Sequence, residues 1–182
     1  NSGRPPADRP HVDVALGLVV FWPALALGSF LNVVAARVPL QRSVVRPGSA
    51  CMSCGHKLAW YDNLPVASWL LLRGRCRSCG SRISPLYPAV ELATAGLMAA
   101  CFVEFGLSAE AFVAAFFCGV LVVLSAIDVE HRRVPNRIVR PAAGAVLVAQ
   151  TALHPSPEWV LAALGASGFL FVAFLVYPAG MG

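Results

Sequence analysis

The sequence predicts an all-α polytopic membrane protein with about five transmembrane helices, interrupted by one small cysteine-rich insertion. Of the 182 residues, 58% are hydrophobic and only 13% are charged, and the mean hydropathy is +0.70. Apolar runs recur along the chain, and two Cys-x-x-Cys pairs lie between the first two runs. This composition excludes an ordinary water-soluble globular domain.

The apolar runs divide the chain into segments. Residues 1–13 are polar and rich in proline, which is typical of a disordered tail. Residues 14–36 form the first predicted transmembrane helix, because helix rising about 1.5 Å per residue crosses a hydrocarbon core of about 30 Å over this length. Residues 37–88 form a polar insertion, and residues 89–182 form a membrane core. The helices predicted in that core span residues 89–105, 109–127, 138–153 and 159–177.

Small and polar residues mark two places in these helices. Gly28, Ser29 and Asn32 form a face of the first helix that suits close packing on another helix. Pro88 is placed where proline fits the start of a helix. Glu91 is predicted in the first turn, where it either complements the positive helix end or has a functional role.

The two cysteine pairs lie in two copies of one short sequence motif, Cys51-Met-Ser-Cys54-Gly and Cys76-Arg-Ser-Cys79-Gly. Each pair places two thiols three residues apart before a glycine, which is the turn of a zinc knuckle. The 21 residues between the pairs match a four-cysteine site. The spacing therefore predicts one structural zinc ion bound by Cys51, Cys54, Cys76 and Cys79.

The charge pattern places this insertion on the cytoplasmic side. Eight of the 14 Lys and Arg residues lie between positions 37 and 84, where Asp62 is the only acid. The positive-inside rule then orients the segment toward the cytoplasm, with the N-terminus outside. Two disulfides are the alternative use of the cysteines, but cytoplasmic thiols stay reduced. A zinc ribbon on nucleic acid is a second alternative, which the flanking membrane helices disfavour, so we expect contact with lipid and not with nucleic acid.

Asp128 is the candidate catalytic residue. It follows an apolar helix at its cytoplasmic end. An acid at this position is either a solvated loop residue or a residue with a function. Two carboxylates that share one proton can activate a water molecule and protonate a substrate carbonyl. Asp62 and Glu130 are candidate partners by composition, although neither lies on a second membrane helix.

Several separated segments give the chain a family resemblance. In order, they are GSFLNVVAARVP at 28–39, WYDNLP at 60–65, SWLLLRGRC at 68–76, YPAVEL at 87–92, ID at 127–128 and VP at 134–135. In these segments the chain resembles the type IV prepilin peptidases, a family of membrane aspartic proteases of the GxGD type. The resemblance covers nearly everything from Gly28 onward.

The resemblance implies a role for Asp128 and a partner for it. The aspartate that Asp128 matches is one of the family's two catalytic aspartates, and the second lies in a Gly-x-Gly-Asp motif at the cytoplasmic end of a later helix. The sequence ends at Gly180-Met-Gly182, which resembles the approach to that motif. We therefore expect the second aspartate just beyond Gly182, and we expect the chain as given to be a fragment unable to cleave.

The implied activity is removal of the leader peptide of prepilins or pseudopilins at the cytoplasmic face of the bacterial inner membrane. Many members of the family also methylate the new N-terminus with S-adenosylmethionine, and the cytoplasmic region associated with that activity is present here. No glycine-rich nucleotide loop marks a site for the methyl donor. Two other hypotheses stay open: a methyltransferase without protease activity, and a non-enzymatic, zinc-stapled membrane scaffold for pilus or secretion assembly.

Overall fold

The computed structural model describes residues 9–132 and 134–176. Within them the fold is helical, with no strand longer than an isolated bridge, which confirms the predicted all-α class. The elements are α1 (Arg9–Arg37), a 3₁₀ helix (Trp60–Asn63), α2 (Ala67–Leu71), α3 (Leu86–Phe105), α4 (Ala109–His131), α5 (Asn136–Leu153) and α6 (Glu158–Val176).

Among the described residues, three helices are long and apolar enough to cross a membrane: Val14–Arg37, Leu86–Phe105 and Ala109–His131. The two later predicted spans are also helices, α5 and α6, and α6 contains a shorter apolar stretch at Val160–Phe169. The chain divides into two compact units, Asn1–Val139 and Arg140–Gly182. That α5 and α6 cross the membrane stays a prediction.

In the first unit, α1, α3 and α4 pack together around two clusters of buried side chains. One cluster joins Leu25 of α1, Met98 of α3 and Ala115 of α4. The other joins Ala35, Val90 and Ile127 in the same three helices. The thiols of Cys101 and Cys118 are half-buried between α3 and α4, with their sulfurs 3.8 Å apart.

The predicted packing face of α1 meets α3 as expected. A methyl group added at Gly28 would lie 2.7 Å from the Cα atom of Glu91, so only glycine allows this approach. Four residues along, Asn32 donates a hydrogen bond from Nδ2 to the carbonyl of Tyr87 at 3.0 Å. Helix packing therefore accounts for both Gly28 and Asn32.

Helix ends depart from the prediction in two places. The first helix begins at Arg9, so residues 9–13 of the predicted tail are helical, and residues 1–8 lie outside the described part. Proline is tolerated in a first turn, where its missing N–H needs no partner, so Pro10 does not stop this extension. The prediction that Glu91 lies in the first turn of its helix is wrong. Helix α3 begins at Leu86, which puts Pro88 in the first turn and Glu91 beyond it.

The insertion between α1 and α3 consists of two short hairpins and the small helices between them. Each hairpin is closed by one antiparallel bridge, Ala50 with Lys57 and Arg75 with Arg82. Trp69 of α2 donates a hydrogen bond from Nε1 to the carbonyl of Ile83 at 3.2 Å. The apolar stretch after the 3₁₀ helix therefore packs on the second hairpin.

Candidate functional site

The two cysteine hairpins have the same backbone geometry. In the first, the Cys51 amide donates to the carbonyl of His56, and the Gly55 amide donates to that of Cys51, both at 2.9 Å. In the second, Cys76 and Gly80 repeat these bonds at 2.8 and 2.9 Å. Both glycines have φ of 69°, a left-handed conformation that glycine adopts without strain. The sequence repeat is thus a structural repeat.

The hairpins bring all four predicted ligands together. The sulfur atoms of Cys51, Cys54, Cys76 and Cys79 all lie within 4.8 Å of one another, and these cysteines form no disulfide. Sulfurs at about 2.3 Å from a tetrahedral zinc ion are about 3.8 Å apart. The Cys51 and Cys79 sulfurs are 3.8 Å apart. The four cysteines therefore form a cluster that can hold a metal ion, and its donor set and size fit zinc.

The hydroxyl group of Ser81 stabilises the thiolate form of two cysteines in this cluster. The Ser81 oxygen lies 3.1 Å from the sulfur of Cys79 and 3.6 Å from that of Cys51. Hydrogen bonds from the Cys54 amide and then from Ser81 lower the pKa of Cys51 to about 5. The Ser81 hydroxyl likewise lowers the pKa of Cys79. Both effects favour the deprotonated sulfur that metal binding requires.

The pKa of Cys54 changes in the opposite direction and is raised to about 11. The His56 amide acts to lower it, but the Cys79 thiol and burial act in the opposite direction and prevail. Four thiols this close cannot all be thiolates without a neighbouring positive charge. A divalent cation supplies that charge when it binds.

Asp62 is fixed within the insertion. Its Oδ1 accepts hydrogen bonds from Nε and Nη2 of Arg77 at 2.9 and 2.7 Å. This ion pair raises the pKa of the Arg77 guanidinium, which also lies over the ring of Tyr61 at 5.5 Å. The structure thus pairs Asp62 with a residue of the second hairpin and not with Asp128.

Asp128 lies in the last turn of α4, which continues to His131, four residues past the predicted end of the third span. Its neighbour Ile127 is fully buried, whereas the Asp128 side chain is exposed. Its backbone carbonyl accepts a hydrogen bond from the Arg132 amide at 2.8 Å, and the helix ends there with Arg132 at φ 49°. The other suggested partner, Glu130, contacts the imidazole of His131 at 3.9 Å. The position expected for the second aspartate lies outside the described residues.

Sequence reasoning missed the environment of Glu91. This side chain is only 7% exposed, and its Oε2 accepts a hydrogen bond from the backbone amide of Val66 at 2.7 Å. Ser29 of α1 also hydrogen-bonds to the carboxylate. The contact spans 25 residues of chain, so no local pattern predicts it. It joins the insertion directly to a membrane helix.

Two family models match the chain in succession. The bacterial peptidase A24 N-terminal domain matches residues 23–105, and the type IV leader peptidase family matches residues 115–182. The first model covers the second half of α1, the cysteine insertion and α3. The second includes Asp128. No solved structure matches the chain significantly.

Relatives named prepilin leader peptidase/N-methyltransferase match most of the chain. The Myxococcus xanthus protein is 44% identical over 87% of this chain and 47% of its own length, and the Bacillus subtilis protein is 39% identical over 86% and 63%. The chain thus spans about half to two thirds of the length of these relatives. The Klebsiella pneumoniae protein is 32% identical, and the match covers 88% of this chain and 74% of the relative. The chain belongs to the type IV leader peptidase family.

Proposed function

We propose that the protein is a membrane aspartic endopeptidase that removes the leader peptide of type IV prepilins or pseudopilins, with Asp128 as one of two catalytic aspartates. The observation that carries this proposal is the position of Asp128. It lies in the part of the chain that the peptidase family model matches, at the end of a membrane helix, with an exposed side chain. A carboxylate there is accessible to water and to a peptide at the membrane surface.

The chemistry needs a second carboxylate, which the family resemblance places at the end of a later helix. Of two carboxylates close together, one holds a proton while the other is ionised, because two adjacent negative charges repel. The ionised group takes a proton from water as the water attacks the peptide carbonyl, and the protonated group donates to the carbonyl oxygen. The buried Ile127 fixes the helix end from which Asp128 extends.

The name of these relatives includes N-methyltransferase, which supports a second activity. We infer that the protein also methylates the N-terminal amine that cleavage exposes, with S-adenosylmethionine as the methyl donor. The segment that matches the N-terminal family model contains the cysteine insertion, where we place this activity. The donor supplies an electrophilic methyl group, and the chain must bind it beside the acceptor amine.

Zinc binding and orientation belong to the same proposal. We infer that Cys51, Cys54, Cys76 and Cys79 hold one structural zinc ion, because four sulfur ligands leave no open position for catalysis. We also propose that the protein lies in the bacterial inner membrane with its N-terminus outside and with the insertion and Asp128 in the cytoplasm. The proposed segments are 14–36 for the first span, 37–88 for the zinc region and 89–182 for the peptidase core.

Asp128→Asn in the full-length protein tests the peptidase role. The amide can act neither as a general base toward water nor as a general acid toward the carbonyl, so we expect the rate of leader removal from a prepilin substrate to fall by about a thousandfold or more. Mass spectrometry of the substrate during co-expression measures the fraction cleaved. Glu130→Gln is the matched control, because it neutralises an exposed acid two residues away and should leave cleavage intact.

Normal cleavage by Asp128→Asn would exclude the peptidase proposal. The same variant separates the two activities when it is given an already processed pilin and labelled methyl donor. We expect methyl transfer to persist, because Asp128 has no part in that reaction. Loss of both activities together would instead indicate that the substitution damages the fold.

A further inference from the structure

A cavity of about 250 Å³, with a mostly apolar lining and a few polar side chains, lies between the cysteine insertion and the membrane helices. Residues of α1, the two hairpins, α2 and the start of α3 line it, so none of these elements forms it alone. Its membrane end contains Ser29, Asn32 and Glu91. The volume is slightly below the roughly 300–1,000 Å³ of typical ligand pockets, and a mostly apolar lining with a few polar groups is the usual character of such a site.

The buried carboxylate of Glu91 is the central feature of this cavity. Its two identified partners, the Val66 amide and the Ser29 hydroxyl, are neutral. An ionised carboxylate accepts about four hydrogen bonds, so acceptor positions remain. Within residues 9–132 and 134–176, Glu91 forms no ion pair. A carboxylate this buried calls for a cation or for further donors.

The basic side chains that line the cavity do not supply this cation. Arg37 donates instead to the carbonyls of Ser43 and Gly48, at 3.1 and 3.2 Å. Arg82 is exposed to solvent. The other lining acid, Asp62, is paired with Arg77. Glu91 is therefore the uncompensated charge of the cavity.

The backbone that faces Glu91 is strained. Val66 has φ of 59° and ψ of −49°, and the Ala67 amide donates to the carbonyl of Pro65 across it at 2.5 Å. This is the geometry of a classic γ-turn, which is rare, and a β-branched residue is especially unfavourable there. Backbone strain of this kind concentrates at ligand and active sites. The Glu91 carboxylate holds the strained amide in place.

We propose that Glu91 binds a primary ammonium group of a ligand in this cavity. An ammonium provides both the missing positive charge and hydrogen-bond donors for the free carboxylate positions. A divalent metal ion fits less well, because it would require several oxygen ligands with charge and the cavity offers one free carboxylate. The inference rests on the proposed methyl transfer, in which two ligands carry such a group: the methyl donor and the N-terminus of the cleaved substrate.

The test measures equilibrium binding to the full-length protein in detergent, without turnover. One pair of probes is S-adenosylhomocysteine and its analogue without the α-amine, and the other is a processed-substrate peptide with a free or an acetylated N-terminus. Because neutralising one member of a buried charge pair costs a large part of the binding energy, we expect the amine-bearing member of one pair to bind about 30-fold more tightly.

Glu91→Gln then assigns this preference to the residue. The amide oxygen can still accept from Val66, so the turn is retained while the charge is lost. Glu104→Gln is the control, because it neutralises an exposed acid at the other end of α3. The preference should disappear in Glu91→Gln and persist in Glu104→Gln. If the preference for the amine-bearing member is lost for the adenosyl pair, the ligand is the methyl donor. If it is lost for the peptide pair, the ligand is the cleaved N-terminus.

Equal binding of both members of each pair by the wild-type protein would overturn the inference, whether or not the variant folds. A preference that survives in Glu91→Gln would also overturn it, while leaving the proposed methyl transfer intact. If the wild-type protein binds none of the four probes, the methyl transfer proposal fails together with this inference.

Discussion

At the scale of single residues, two side chains near one another show what sequence reasoning can and cannot reach. Gly28 is recognisable from the small, polar pattern of its helix, and the structure confirms it at a helix contact. Glu91 is on the opposite side of that contact, and the sequence predicts it in a first helical turn, with either a charge-complementing or a functional role. Its actual partner, Val66, comes from a separate segment through a strained turn. Such a contact depends on the folded path of the insertion and leaves no periodic signal.

Gly28→Ala tests the close approach of α1 and α3. The added methyl group would lie 2.7 Å from the Glu91 Cα atom, and backbone cannot move aside as a side chain can. We expect a loss of about 1–3 kcal/mol of stability, as for other overpacked cores. The midpoint of thermal unfolding in detergent measures it.

The matched control is Gly96→Ala on α3, where an added methyl group meets no atom within 4 Å. This change should leave stability equal or higher, because alanine is the better helix former. If Gly28→Ala unfolds at the same temperature as Gly96→Ala, the contact is looser than the structure indicates.

At the scale of elements, the cysteine insertion is where the sequence was most informative. Two copies of one sequence motif predicted two equivalent turns, and the four sulfurs do lie in one cluster. The contact of Arg77 with Asp62, in which two guanidinium nitrogens donate to one carboxylate oxygen, was not predictable, because a single acid among eight basic residues identifies no particular partner. The helices were found with errors of a few residues at their ends, where polar residues such as those at 9–13 extend a helix beyond the apolar run.

Replacement of Cys51 and Cys76 by serine tests metal binding at this element. We expect the purified variant to lose about one zinc ion per chain, because one ligand is removed from each hairpin. Elemental analysis of the purified protein measures the zinc content. Cys118→Ser, which removes a thiol of the membrane helices, should retain zinc. Native protein without zinc would contradict the assignment.

At the scale of the whole molecule, composition and charge predicted a multi-span membrane protein, and three helices meet that expectation within the described residues. Family membership was also accessible, because the matching segments are spread in order over the chain. Sidedness rests on the distribution of basic residues, with eight in the insertion and four more between positions 132 and 140. Loop charge sets the orientation while the protein enters the membrane. The packing of the helices does not show which side each loop faces.

Cysteine labelling tests that sidedness. Leu107 lies between α3 and α4 and is 75% exposed, and Ser43 lies in the exposed loop after α1. In intact spheroplasts, a membrane-impermeant maleimide should label Leu107→Cys but not Ser43→Cys, relative to the unsubstituted protein. Ser43→Cys should react once the membrane is permeabilised. The reverse pattern would invert the proposed orientation.

The paired hairpins also determine what a bound ion does for the chain. Each hairpin is closed by its own backbone hydrogen bonds, so the ion is not needed to shape either turn. Its effect is to connect the two hairpins, so the ion is a cross-link between two preformed turns of the insertion. A cross-link acts on the unfolded chain by restricting the conformations of the loop that it closes. Loss of the ion would therefore increase the freedom of the 21 residues between Cys54 and Cys76, and with them the Val66 turn that meets Glu91.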